Sequence, residues 1–193
     1  MAQLAAYTYE DPHLAPSPVT DAELAELQAS AMFDAADAAA LRAAGEVLAD
    51  QVEDVLDVWY GFVGANPHLL EAFHGPDGEP DSRYLEQVRG RFGRWILDTC
   101  NRSYDRTWLA YAAEIGRRHH RSGKNQADDV EATDHIPLRH IVALVYPITT
   151  TIRPFLEKNG HSREDVDAMH EAWRKSVILQ VALWSRPYAD GDW

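Results

Sequence analysis

The chain has one cysteine, Cys100, so no disulfide can close within it. That usage fits a reducing compartment, and the cytoplasm is the expected setting. Basic charge is scarce as well. Only three lysines (Lys124, Lys158 and Lys175) stand among eighteen basic residues, against thirty-one acidic ones, and the formal net charge is −13. Such a surface repels phosphate backbones and anionic lipid, so no nucleic acid and no membrane surface is expected as a partner. Long apolar runs are missing too. The longest charge-free stretches, residues 140–152 and 176–185, fall short of the roughly 20 residues that cross a bilayer and read as buried helix cores. Residues 1–10 hold no basic segment and no apolar run, so no secretory signal is expected. A glycine-rich phosphate loop, a Gly-x-Ser-x-Gly elbow, a His-Glu-x-x-His pair and a Cys-x-x-Cys motif are all lacking. Their absence removes the usual routes to phosphoryl transfer, serine hydrolysis, zinc proteolysis and dithiol chemistry.

What the chain does have is apolar and aromatic side chain. Hydrophobic residues make up 46% of the 193, with six Trp, eight Tyr and five Phe. A chain of this length buries roughly 70% of the surface its unfolded form exposes, so one domain over residues 1–193 can hold a sizeable core. Residues 1–20 carry three prolines and no periodicity. They read as an irregular arm, which Tyr7 and Tyr9 would anchor by packing. Thr20 and Glu23 form a capping-box pattern that opens a short helix to about residue 30. A helical stretch over about 34–64 places Val47, Leu48, Val52, Val55, Leu56, Trp59 and Val63 on one face, spaced by three and four. Asn66-Pro67 starts a short helix to residue 73, and residues 75–80 form a turn.

The strongest amphipathic pattern covers about 82–100, with Leu85, Val88, Phe92, Trp95, Ile96 and Thr99 on one face. Asp105 caps a helix over about 106–121, and the polar residues 122–134 read as a loop. A long helix over about 137–158 should bend at Pro147 and stop at Gly160. The last, over about 162–185, keeps Val166, Met169, Trp173, Val177, Val181 and Trp184 in register and ends before Pro187. Nothing reads as a strand, so the expected fold class is all-α.

Nine histidines are the main chemical resource. His13, His68, His74, His161 and His170 fall at loops, helix ends or polar faces and read as surface or capping groups. His135 and His140 flank the start of the long helix. Together with His119 and His120 they are the zinc candidates, but a closed zinc site wants four well-spaced ligands, and one cysteine without a Cys-His motif argues against it. His119 continues the stripe Trp108, Ala112, Ile115 at spacings of four, three and four, which turns it inward. His120 follows Ala113 and Gly116 at the edge of that stripe. An inward histidine is either a core residue bonded to a backbone carbonyl or a ligand, and periodicity leaves both open. Trp59-Tyr60 is similarly either ordinary core or the wall of a pocket whose phenol donates to a guest.

Six long motifs, in order, resemble the protoglobin family. They are Asp50-Gln-Val-Glu-Asp-Val-Leu-Asp-Val-Trp-Tyr-Gly-Phe-Val-Gly64, Arg91-Phe-Gly-Arg-Trp-Ile-Leu-Asp-Thr-Cys100, Glu114-Ile-Gly-Arg-Arg-His-His-Arg121, Tyr146-Pro-Ile-Thr149, Arg153-Pro-Phe-Leu156 and Leu179-Gln-Val-Ala-Leu-Trp-Ser185. The similarity runs from Tyr7-Thr-Tyr9 to Asp192-Trp193. It implies a globin-like helical sandwich with an extra N-terminal helix and an arm over the haem edge. It implies haem b as the cofactor, with His119, the first of the His-His pair, as the iron ligand. It also implies Trp59, Tyr60 and Phe92 as the wall facing a diatomic ligand (O2, CO or NO). Val88, Arg91, Ile115, Ile136, Leu144 and Ile148 would complete the haem contacts. Leu144 stands where some relatives have an aromatic, so the pocket should be roomier there.

The resemblance makes reversible gas binding, with scavenging or detoxification as an extension, the first functional expectation. With no distal histidine evident, peroxidase chemistry should be weak. A second expectation is a gas-sensing module that signals to a separate partner. About eight residues follow the last expected helix, so its output would act in trans. Similar scaffolds also support carbene transfer when engineered, but Trp59 and Tyr60 keep this pocket narrow. A haem-free helical scaffold is the alternative of a different class. A homodimer through the last two helices, and a reductase, are the partners the resemblance implies.

Overall fold

Apolar residues at three-four spacing account for the longer helices, and side-chain caps open five of them. The computed structural model describes residues 4–189 together with Gly191 and Trp193. The first three residues of the expected arm and Asp192 of the terminal motif lie outside the described residues. The order is α1 (Asp21–Ser30), α2 (Ala35–Leu48), α3 (Val52–Gly64), α4 (Pro67–Leu70), α5 (Ser82–Asn101), α6 (Arg106–His119), α7 (Leu138–Thr150), α8 (Arg153–Leu156) and α9 (Arg163–Ser185). Short 3-10 turns follow α4, α8 and α9. Thr20 and Glu23 make both halves of the capping box on α1, and Asp34 and Asp37 repeat it on α2. Asp105 accepts from the backbone N–H groups of Thr107 and Trp108 and so starts α6. No strand occurs among the described residues, and none of their helices is long and apolar enough to cross a membrane.

Two long helices expected from periodicity are each two. The stretch over 34–64 breaks at residues 49–51. The Gln51 side-chain amide donates to the Val47 carbonyl (2.6 Å), the group a continuing helix would bond through the Gln51 backbone. That backbone N–H turns to Leu48 instead, and the same amide also reaches the Phe155 carbonyl (3.2 Å). The stretch over 137–158 ends at Thr150, so Pro147 lies in the last turn of α7 rather than bending a longer helix. The Thr149 and Thr151 hydroxyls donate to the carbonyls of Val145 (2.7 Å) and Pro147 (2.8 Å), and the chain turns into α8. α6 stops at His119, and His120 is already extended.

The long helix α9 forms the spine of the core, packing on α2, α6, α7 and α8, while α5 packs on α2 and α3. Trp173 and Trp108 are each 1% exposed. Burying an apolar side chain of this size contributes about 2–3 kcal/mol. Trp95 meets Trp173 edge-on at 5.6 Å, and its indole N–H donates to Gln180 (2.7 Å). The Gln180 amide in turn donates to Thr99 and Ser176, so this buried polar node is satisfied from α5 and α9.

The arm is fastened along its length. Tyr7 donates its hydroxyl proton to Asp98, and Tyr7 and Tyr9 both lie edge-on to Tyr111. Arg118 donates to the Ala6 carbonyl (2.7 Å) and Arg91 to the Ala5 carbonyl (3.2 Å). Both tyrosines that marked the arm in the sequence are therefore packed against α6.

Candidate functional site

The helices enclose a mostly apolar cavity of about 500 Å³. That volume is in the range of cofactor and small-molecule pockets. Its walls come from α3, α5, α6, α7 and α9, with the segment after α6 and arm residues Ala6 and Tyr7 closing it. All ten residues that the family resemblance implies border it. Trp59 and Tyr60 come from α3; Val88, Arg91 and Phe92 from α5; Ile115 and His119 from α6; Ile136 from the segment just before α7; and Leu144 and Ile148 from α7. Phe92 lies between the first pair, edge-on to Trp59 (5.5 Å) and to Tyr60 (6.5 Å). Burial pushes the Tyr60 phenol well above its ordinary pKa, so it stays a hydrogen-bond donor across the physiological range.

His119 is held at the last position of α6. Its Nδ1 lies 2.8 Å from the Ile115 carbonyl one turn back. A carbonyl only accepts, so Nδ1 carries the proton and the lone pair is on Nε2. Burial lowers the pKa of the ring, which keeps the imidazole neutral. One face stacks on Trp184 of α9 at 5.4 Å with planes 16° apart. Gly116 permits that approach: a Cβ there would sit 3.0 Å from the Trp184 Cα. His120 takes another course. Its Nδ1 pairs with the Ser122 hydroxyl (3.0 Å), its ring meets His135 and Tyr188 edge-on, and it does not border the cavity.

Helix α6 therefore presents one neutral imidazole, with its lone pair available, to an apolar chamber of cofactor size, whose rim His68, His135 and His140 also border. The Protoglobin family model matches residues 20–193. The chain belongs to the protoglobin family. The globin domain of a Geobacter sulfurreducens globin-coupled sensor shares its fold, with a TM-score of 0.64 at 16% identity, covering 86% of this chain and 97% of that one. Among curated proteins none matches the sequence significantly. The architecture is thus an all-α globin-like sandwich with an added N-terminal helix and arm, and membership of the family implies haem. The donor set fits that group, because a neutral imidazole oriented by a backbone carbonyl is the arrangement metal-bound histidines adopt.

Several bordering residues of this protoglobin carry no signal in the sequence as site residues. Trp184 reads there only as core, and His68 and His140, read as surface and helix-start groups, meet at 5.4 Å beside the cavity. Lys124 lies in the loop after α6, where periodicity says nothing. The cations around the cavity differ in how they are neutralised. Arg91 makes two bonds to Asp128 (2.8 and 2.6 Å), and Arg118 bonds Glu114 (2.9 Å). Lys124, 5% exposed, bonds only neutral acceptors, the Ala72 carbonyl and the Asn125 side-chain oxygen, both at 3.0 Å. Burial pulls its pKa down from 10.5 to about 8.

Lys124 thereby makes stability depend on pH in the haem-free protein. Between the folded value of about 8 and the unfolded 10.5 the unfolded chain binds more protons, so stability rises with pH in that window. From pH 7 to pH 9.5 the wild type should gain about 2 kcal/mol that Lys124→Met does not, as read by urea unfolding at each pH. Parallel pH profiles for the two proteins would contradict a buried, charged Lys124.

Proposed function

We propose that this protein is a haem-b globin that binds diatomic gases reversibly, with Nε2 of His119 as the atom that would hold the iron. The observation that carries the reading is the His119 ring, tied through Nδ1 to Ile115 and bordering, with its lone pair unspent, a chamber that Tyr60 also borders. Haem, when bound, would supply an iron that takes a diatomic gas, and His119 would hold it. The chain does the rest. Ile115 and Trp184 hold the His119 ring from two directions. Val88, Ile136, Leu144 and Ile148 would provide apolar surface for the macrocycle, and Arg91, already neutralised by Asp128, would help to hold it. Trp59 and Phe92 exclude water and limit the guest to small molecules. Tyr60 offers a phenol proton to a guest that carries partial negative charge. Two copies would pair in this reading through α7 and α9, which carry the exposed apolar side chains Val142, Tyr146 and Ile178.

Absorption spectra of the dithionite-reduced protein with and without CO test the core of the proposal. A reversible CO-dependent spectrum is expected, and a haem-supplied wild type that stays colourless overturns it. In Tyr60→Phe, stopped-flow measurement should show O2 leaving roughly tenfold faster, the scale of a lost charge-assisted hydrogen bond. CO, which draws less on a donor, should leave at a nearly unchanged rate. Equal O2 rates in the two proteins would remove Tyr60 from the role.

A further inference from the structure

Lys124 has no place in the gas chemistry, yet it is a buried cation at the wall of the chamber. An ammonium has three N–H donors. Two are spent on the Ala72 carbonyl and the Asn125 oxygen, which leaves one. Asp134 and Asp128 act on the ammonium through space but neither bonds it, and a buried charge that bonds only neutral acceptors is costly and is normally found against a counter-ion. The other cations nearby do not share this condition. Arg91 and Arg118 are each bonded to a carboxylate, and Arg139 is exposed.

The position of Lys124 is also fixed. Its backbone N–H bonds the His120 carbonyl (2.9 Å), and its stem holds the ammonium 5.2 Å from the Tyr84 ring centroid. Gly123 before it leaves no room for a side chain, since a Cβ there would lie 2.8 Å from the Arg117 carbonyl oxygen. The tight turn therefore sets the ammonium at a constant offset from His119, five residues earlier. A ligand that satisfies this wall needs a flat apolar body and an anionic oxygen at its rim.

We propose that the Lys124 ammonium holds a propionate carboxylate of the bound haem, and so sets which edge of the macrocycle faces the loop after α6. This rests on the haem reading above. The test uses iron-free protoporphyrin IX and its dimethyl ester, which share the ring and differ only in the carboxylates, so His119–iron bonding plays no part. Both are titrated by fluorescence into the haem-free wild type, Lys124→Met and Lys124→Arg.

The wild type should prefer the diacid, Lys124→Met should lose roughly ten- to hundred-fold in affinity for the diacid with little change for the ester, and Lys124→Arg should keep the preference. A preference that survives undiminished in Lys124→Met overturns the proposal. So does a wild type that binds the ester as tightly as the diacid. Equal weakening of both porphyrins in Lys124→Met, with no preference left in Lys124→Arg, also overturns it and makes Lys124 a support of the loop alone. A wild type that binds neither porphyrin overturns the haem reading itself, a result distinct from the other three.

Discussion

His119→Gly should leave the protein without a stable haem, and added imidazole should restore it. The glycine removes the one nitrogen lone pair that α6 presents to the chamber, while the Ile115 carbonyl and the Trp184 face remain to receive a free imidazole of the same shape. Outer partners of metal-bound histidines are worth roughly ten- to hundred-fold in affinity, so loss of the ligand itself should exceed that. Transfer of haem to an acceptor protein measures it. His120→Ala, one residue on but turned to Ser122, His135 and Tyr188, should keep the wild-type spectrum and transfer rate. Loss of the spectrum in the His120 variant alone would assign the wrong histidine.

The second large effect is expected at Gly116. The Cβ that a valine adds would lie 3.0 Å from the Trp184 Cα and 3.3 Å from its carbonyl oxygen, and these are backbone atoms that cannot swing aside. Gly116→Ala sets a helix-propensity gain of about 1 kcal/mol against that contact, so its net change should be small. In Gly116→Val the branched side chain forces α6 away from α9. Overpacking of this kind costs about 1–3 kcal/mol, and the upper end applies here because the obstacle is a helix backbone. Urea unfolding of both variants reads the stability. The same displacement separates His119 from Trp184, so the valine variant should also show a broadened ferrous CO spectrum. Wild-type stability in Gly116→Val would mean that the two helices are not in the contact described.

The histidine that faces the chamber was legible in the sequence because helix geometry is regular. Spacings of four, three and four from Trp108 carry an apolar stripe into His119 and not into His120. Capping residues were legible for the same local reason, as at Thr20 and Asp105. The breaks at Gln51 and Thr151 were not. The first depends on a side chain taking a backbone carbonyl that a helix would otherwise use, the second on threonine hydroxyls that share carbonyls with the backbone around Pro147, and an apolar pattern registers neither. Lys124 was invisible because a loop has no period, and because its distinguishing property is the lack of a carboxylate, which only packing creates. Trp184 showed in the sequence as one more apolar position on α9; that it backs the His119 ring follows from how closely α6 can approach.

The chamber draws its walls from Ala6 at one extreme to Trp184 at the other. A site assembled from such distant stretches has no working fragment. Its closure entropy must be met before any of its contacts repay it, which places pocket formation late in folding. The arm alone reaches α5 and α6 across 91 to 112 residues of chain. In kinetic terms, a cofactor would meet an open groove before a closed chamber, and the fastening of Tyr7 and Ala6 would turn capture into retention.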